Sequence, residues 1–294
     1  MRENFTVLFA VDGLYATHLG VALYSLLKNN ERLKFRIVVF TSRIEQKDRD
    51  NLTKIAKSFD TCIEFEVLEE SLFDGLKLNY HFQNSNYYRL FAEDFIKDDM
   101  CLYLDADIVV TSSIADLLDI DLGNYCLAAV ENPGFDRHNE LGMQVTSKYF
   151  NSGVMLLNLH KWRDLGIKDK VINFVKKNPA VVHFVDQCGL NSVVDGDWMA
   201  LNFMYNVQTS MLDSQVLSLD FVRNNSKIIH FTGSSKPWHL NNNHPFKKVY
   251  WKNRNRTPYK SFFADDFSFV NMVKFLCPAC IKFALKKFLK CRFN

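Results

Sequence analysis

Three strand-patterned runs separated by two helix-patterned stretches fill the chain from Phe5 to Val67, and this alternation confines it to an α/β architecture. The runs are Phe5–Val11, Phe35–Thr41 and Cys62–Val67. Leu19, Leu23, Leu26 and Leu27 fall at helical spacing after the first, and Leu52, Ile55, Ala56 and Phe59 after the second. A β-α-β-α-β order predicts a mixed, mostly parallel sheet with helices on both faces, and ligands gather at the carboxyl ends of such strands, where Asp12 lies. Ser85–Lys97 is predicted helical, with Tyr88, Phe91 and Phe95 spaced for burial. It leads into Cys101–Val110, whose nearly uninterrupted apolar start is that of a strand covered on both faces. The run meets two carboxylates, Asp105 and Asp107, separated by Ala106. In extended geometry residues i and i+2 project to one side, so the pair can share a cation that also holds a diphosphate. Such a pair otherwise serves as a turn cap. The second half is less regular. Strands are expected at Tyr125–Val130, Tyr149–Leu159 and Lys227–Gly233, with helices near Trp162–Lys177 and Asp186–Val194, and no internal repeat is present.

With 294 residues, 48% of them hydrophobic, and only 6 Pro and 11 Gly, the chain can bury a large core and lacks the composition of disorder. One catalytic domain over residues 1–260 and a C-terminal appendage over 261–294 are expected. The start has Arg2 and Glu3 followed by a strand-length run, unlike a signal peptide, and no run reaches the ~18 apolar residues of a membrane span. The cysteines are seven, an odd number, which fits reduced thiols. Net charge is +3 but unevenly placed: from Phe221 onward 15 Lys and Arg face two Asp, leaving −10 on the first 220 residues. The C-terminal quarter therefore suits an anionic partner. Nucleic acid is disfavoured, because no zinc-finger spacing, recognition helix or aromatic RNA-binding motif occurs. An ideal helix from Ile281 would gather Ile281, Ala284, Leu285, Phe288 and Leu289 opposite Lys282, Lys286, Lys287 and Lys290, although Phe283 and Arg292 fall on the wrong sides. This basic amphipathic segment is expected to lie on an anionic bilayer, which would make the protein cytoplasmic and peripheral at the inner face of the cell membrane. The alternative is a terminal helix docked on the core with a solvated basic face. Cys277 and Cys280 form a lone CxxC, weak grounds for zinc or redox chemistry.

Four clusters complete the chemistry. Asn151, Ser152 and Gly153 open an apolar strand, and Asp186 with Gln187 opens a helix, where an N-cap role would explain the Asp but not the amide. His230 ends a strand, and Gly233 to Trp238 follow, with Lys236 able to neutralise a leaving diphosphate. Singly, a strand-end His is usually a turn residue and a Lys before Pro-Trp a solvated charge. In order, FAVDGLYATHLGVALYSLL, SNYYRLF, LYLDADIVV, FNSGVMLLNLHKW, VDQCGLNSVV and IHFTGSSKPWH resemble the retaining glycosyltransferases of family 8, and within it the bacterial lipopolysaccharide galactosyl- and glucosyltransferases.

The resemblance spans about residues 5 to 240 and implies a glycosyltransferase A-type, Rossmann-like nucleotide-sugar fold. It implies that Asp105, Asp107 and His230 bind Mn²⁺, with Mg²⁺ a possible substitute. Two carboxylates, an imidazole and diphosphate oxygens suit Mn²⁺ better than the all-oxygen preference of Mg²⁺. Asp12 and Tyr15 match residues that hold uracil, Ala10 and Ala106 match further donor-site positions, and His81, Gly233 and Lys236 match diphosphate contacts. Arg89, Asn151, Asp186 and Gln187 match the donor-sugar pocket, Gln187 beneath the anomeric carbon. Gly13 and Leu14 depart from the polar residues of relatives, and Glu131 replaces an Asp near the acceptor. The implied reaction moves galactose or glucose from a UDP-hexose to an oligosaccharide or glycolipid acceptor such as the lipopolysaccharide core. Double displacement needs a carboxylate nucleophile, whereas Gln187 is a neutral amide, which favours front-face attack. Two other readings compete. Asp105, Asp107 and Val109 formally satisfy the DxDx[TV] pattern of a haloacid-dehalogenase-like phosphatase, with Asp265 and Asp266 as possible metal ligands, but three strands precede the motif. A membrane-bound nucleotide-sugar sensor would keep the donor pocket without turnover.

Overall fold

The computed structural model describes residues 4–76, 83–213 and 217–276. Its elements begin with β1 (Phe5–Ala10), α1 (Ala16–Asn29), β2 (Phe35–Thr41), α2 (Gln46–Lys57), β3 (Cys62–Val67), β4 (Met100–Leu104), β5 (Ile108–Val110), β6 (Leu127–Glu131) and β7 (Phe150–Asn158). They continue with α3 (Leu159–Leu165), α4 (Ile167–Lys177), α5 (Val185–Val193), β8 (Trp198–Ala200), β9 (Val207–Gln208), β10 (Ile228–His230) and α6 (Lys247–Arg254). Seven strands form one sheet in the order β3-β2-β1-β4-β7-β6-β8, and three short ones form a second, β5-β10-β9. In the large sheet only the two pairings made by β7 are antiparallel. The mixed, mostly parallel α/β sheet expected from the alternation is therefore what the chain forms.

Period-two alternation divides the core. In β1, Phe5, Val7 and Phe9 enter one cluster and Leu8 and Ala10 the other, and in β4 Leu102 and Leu104 part from Cys101 and Tyr103 in the same way. A one-residue slip would exchange both sets, so the register is strongly specified.

Three local expectations change. The helix expected over Ser85–Lys97 is three short turns, Ser85–Tyr88, Arg89–Phe91 and Ala92–Phe95, the middle one tightened to 3₁₀ geometry where Arg89 turns inward. Phe95, expected to be buried, is 39% exposed and meets Phe40 edge-on. The helix expected over Trp162–Lys177 breaks at Gly166, whose φ of +62° is left-handed and which ends α3.

Glu93, in the last of those short turns, carries a testable cost. Burial pushes its carboxyl up to about 7 against the pull of Lys168, and its Oε2 has no hydrogen-bond partner. A folded-state value raised above the unfolded one contributes stability below the unfolded value and loses it as pH rises through about 7. Glu93→Gln should therefore raise the melting temperature at pH 8, by about 1 kcal/mol or a few degrees, and leave it unchanged near pH 4. Thermal melts of both proteins at the two pH values check this.

The polypeptide after β10 folds back on α1. His18 stacks on Trp238 at 3.5 Å between ring centres, and its Nδ1 shares a hydrogen bond of 2.8 Å with the Tyr250 hydroxyl. Burial, helped by the Arg254 charge, pushes His18 down to about 3, so the ring is neutral at physiological pH. Arg254 donates to Asp265 Oδ1 at 2.7 Å, the Asp265 amide donates to Trp238 O, and the Leu240 amide donates to Asp266 Oδ1. The segment joining Lys236 to Trp238 is thus clamped between the first helix and residues 246–266. Among the described residues no helix is long and apolar enough to cross a membrane. The expected helix from Ile281, and Cys277 and Cys280, lie outside the described residues. So does His81.

Candidate functional site

The Asp105-Ala106-Asp107 segment is not the extended stretch expected from its strand-like flanks. It is a turn that carries the chain from β4 of the large sheet to β5 of the small one. Two backbone bonds fix it: the Asp105 amide donates to Gly153 O at 2.8 Å, and Asp107 O accepts from the Phe231 amide at 3.0 Å. The second brings the end of β10 to the turn. His230 Nε2 then lies 3.6 Å from Asp105 Oδ2 and 3.1 Å from Asp107 Oδ1. One ligand atom from each of the three lies within 4.8 Å of the others, and among the described residues no other group of this kind occurs.

The three side chains fit a divalent cation. Two carboxylates and an imidazole are a suitable donor set, and His230 Nδ1 is occupied by Asn206 Oδ1 at 3.0 Å, which turns Nε2 toward the carboxylates. Space is kept by Gly153, where a Cβ would stand 2.2 Å from His230 Cε1 and 2.6 Å from Asp105 Oδ2.

Lys236 is not the solvated charge its Pro-Trp context suggests. It is buried, with Nζ 2.5 Å from Asp107 Oδ2 and 2.6 Å from Phe231 O. Burial favours the neutral form of Asp107, but Lys236 and His230 outweigh it and hold the carboxyl well below its usual range. Lys236 and Gly233 line a cleft of about 360 Å³ with Tyr15, Ala10 and Ala106. Tyr15 meets Trp238 and His18 edge-on, at 6.0 and 5.1 Å. Asp12 stands beside this wall at the end of β1, its Oδ1 accepting from the Leu14 amide at 3.1 Å.

Arg89, buried, organises the opposite wall of the same cleft. Its guanidinium reaches Asp105 Oδ1 at 3.0 Å and Asp186 Oδ2 at 3.2 Å, donates to Ser152 O at 2.6 Å and lies 4.3 Å over the Tyr103 ring. Burial alone would discharge it, but Asp105 and Asp186 raise its affinity for the proton. Asp186, also fully enclosed, is pushed up to about 6 by burial although Arg89 opposes the shift. Gln187 Oε1 accepts from Asn151 Nδ2 and from the Ser152 amide, both at 3.1 Å. The residue before this pair, Val185, has a φ of +36°, a strained value for a β-branched residue that costs about 1–3 kcal/mol and is held by complete burial.

Asp105, Asp107, His230, Lys236, Arg89, Asn151, Asp186 and Gln187 therefore meet in one cleft although their positions span residues 89 to 236. Asp265 and Asp266, which the phosphatase reading needs near Asp105, are instead engaged by Arg254 and by the Leu240 amide and do not join the group formed by Asp105, Asp107 and His230. Sequence reasoning passed over Tyr103, whose hydroxyl donates to Asp105 Oδ1 at 2.6 Å, and Asn206. It also passed over Phe184, an exposed ring on the cleft wall. Tyr103 was reachable, because it lies two residues before Asp105 at the end of one strand.

Residues 6–242 match the sequence model of glycosyl transferase family 8. General stress protein A of Bacillus subtilis is 32% identical over 266 residues, a match covering 85% of this chain and 92% of that one. The lipopolysaccharide 1,3-galactosyltransferase of Salmonella typhimurium is 26% identical over 272 residues, covering 87% and 80%. Among solved structures, galactosyltransferase LgtC in complex with donor and acceptor sugar analogues superposes with a TM-score of 0.79 at 26% identity, over 86% of this chain and 96% of that one. On the matched residues and the cleft they build, the chain belongs to glycosyl transferase family 8.

Proposed function

We propose that the protein is a retaining hexosyltransferase that moves galactose or glucose from a UDP-sugar to an oligosaccharide acceptor, a lipopolysaccharide or lipooligosaccharide core being the acceptor favoured by its relatives. The observation that carries this reading is the meeting of Asp105, Asp107, His230 and Lys236 with Arg89, Asn151, Asp186 and Gln187 around a single cleft. Asp105, Asp107 and His230 would hold Mn²⁺, which supplies charge neutralisation for a departing diphosphate. Lys236 adds a second, fixed positive charge beside the same group. Ala10, Tyr15 and Ala106 line the cleft where the nucleoside is expected, with Asp12 beside them, and Gly233 lines it where the diphosphate is expected.

The residue assigned beneath the anomeric carbon is an amide whose oxygen already accepts two hydrogen bonds, a poor nucleophile. Front-face substitution follows. A short-lived oxocarbenium ion forms, Gln187 and Asp186 stabilise its positive charge, and an oxygen of the leaving phosphate accepts the acceptor's proton. The deciding experiment is UDP release from a panel of UDP-sugars with Mn²⁺, with and without a lipid-oligosaccharide. Release of UDP with formation of a retained glycosidic linkage supports the reading. Binding of the nucleotide sugar without turnover under either condition would instead identify a sensor.

The C-terminal part is assigned to the membrane surface. Lys248, Lys252, Arg256 and Lys260 are exposed at intervals of four, and Phe262, Phe269 and Leu276 are 98%, 74% and 68% exposed. Exposed apolar and basic side chains on one stretch of chain fit an anionic bilayer. We place the end of the catalytic unit at Asp266, because Asp265 and Asp266 are bonded to it. A chain ending at Asp266 should keep Mn²⁺-dependent donor hydrolysis and bind anionic vesicles less fully than the intact chain. One ending at Lys260 leaves buried Arg254 without its carboxylate and should be destabilised by about 3–5 kcal/mol. Sedimentation with vesicles, melting and UDP release separate the two; sedimentation of the 266-residue chain as full as that of the intact chain would remove the membrane assignment.

A further inference from the structure

A line of side-chain hydrogen bonds joins the carboxylate-imidazole group to the amide in the sugar pocket, and it passes through a residue that does not line the cleft. His230 Nδ1 meets Asn206 Oδ1 at 3.0 Å, Asn206 Nδ2 donates to Asn151 Oδ1 at 2.9 Å, and Asn151 Nδ2 donates to Gln187 Oε1 at 3.1 Å. Asn206 is completely buried.

An amide's oxygen and NH₂ group are alike in shape, so shape alone does not orient them. Here two backbone N–H groups do, because they can only donate. The Gly153 amide points at Asn151 Oδ1 at 3.0 Å, and the Ser152 amide at Gln187 Oε1 at 3.1 Å. With the oxygen of Asn151 so fixed, Asn206 must face it with Nδ2 and must present Oδ1 to His230. An oxygen acceptor there requires a proton on Nδ1, and in the neutral ring that leaves the lone pair on Nε2, the nitrogen turned toward Asp105 and Asp107.

We propose that Asn206 is a positioning residue that sets His230 in the Nδ1–H tautomer, carrying the polarity imposed by the Gly153 and Ser152 backbone to the metal-ligating nitrogen. This rests on the reading of Asp105, Asp107 and His230 as the cation site. In the opposite tautomer the Nδ1 lone pair would face an amide oxygen, and Nε2 would point a proton at the cation.

Two variants separate the parts. Asn206→Ala removes acceptor and donor together, whereas Asn206→Asp keeps an acceptor for Nδ1–H but cannot donate to Asn151. Free Mn²⁺ measured by electron paramagnetic resonance, ¹⁵N NMR of the metal-free imidazole, turnover and melting temperature are read for each. We expect the wild type to show the Nδ1–H tautomer, and Asn206→Ala to weaken Mn²⁺ binding by about 10–100-fold. Asn206→Asp should hold Mn²⁺ within about threefold while turnover falls about tenfold, because Asn151 Oδ1 loses the Asn206 donor and faces a carboxylate, which displaces the amide that holds Gln187. If Asn206→Ala does not fold, Asn206→Asp and the wild-type spectrum still decide. A wild-type Nε2–H tautomer, wild-type Mn²⁺ affinity in Asn206→Ala, or unchanged turnover in Asn206→Asp would overturn the proposal. A wild type that binds no Mn²⁺ but shows the Nδ1–H tautomer would overturn the cation reading instead.

Discussion

Gly153→Ala should remove Mn²⁺ binding and turnover together, with losses of about 100-fold or more, although it adds a single methyl group. The added carbon would stand 2.2 Å from His230 Cε1, 2.6 Å from Asp105 Oδ2 and 2.9 Å from His230 Nδ1. None of these atoms has a cheap escape. His230 is tied to Asn206, Asp105 is held by Arg89 and by the Tyr103 hydroxyl, and Gly153 itself lies in β7 with its carbonyl bonded to the Asp105 amide. Overpacking of this kind costs about 1–3 kcal/mol, too little to unfold a core of this size, so the damage should be local. A Mn²⁺ titration followed by paramagnetic resonance, alongside a melting curve, checks it. Wild-type Mn²⁺ affinity in the variant would show that the three side chains do not ligate the cation together.

Gln187→Ala should behave differently, lowering turnover by about 10²–10³ while Mn²⁺ and UDP affinity stay within about twofold. The substitution strips an acceptor from Asn151 Nδ2 and from the Ser152 amide but leaves Asp105, Asp107, His230 and Lys236 untouched. The Gly153 amide continues to orient Asn151, so the polarity delivered to His230 survives. Turnover measured beside calorimetric UDP binding distinguishes the cases. A parallel loss of UDP affinity would place Gln187 against the nucleotide rather than the sugar.

The strands at Phe35–Thr41 and Cys62–Val67 were legible to the residue, the first as an apolar run between Lys34 and Ser42 and the second by its alternation of Ile63, Phe65 and Val67 with Glu64 and Glu66. Cys101–Val110 was legible as buried, but not as two strands. Both halves are apolar, and nothing in the local pattern says that Ile108–Val110 pairs with β10 in a different sheet. The same gap explains the turn at Asp105-Ala106-Asp107, whose shape depends on Gly153 and Phe231, residues far along the chain. Gly166 could have been weighed as a break, since a glycine inside a helical pattern is the residue that tolerates positive φ. Arg89, Asn151, Asp186, Gln187, His230 and Lys236 were reached through their motifs. Asn206 carries no such signal: a single Asn before a two-residue strand reads as loop, and its partners stand 24 and 55 residues away.

The seating of β10 between β5 and β9 has a consequence for how the protein comes into being. β1 to β4 and β7 can pair as soon as the first 158 residues are available, so the large sheet can form early on a growing chain. His230 arrives 123 residues after Asp107, and the arm that clamps Trp238 against α1 ends only at Asp266. Non-local closures of this length form late. A ribosome that stalls before the arm is made would release a chain with most of its sheet in place and its Asp105, Asp107 and His230 group incomplete or unbraced. Such a product would hold most of its sheet without the assembled cleft, so the cleft's geometry depends on β10 and its arm having been made.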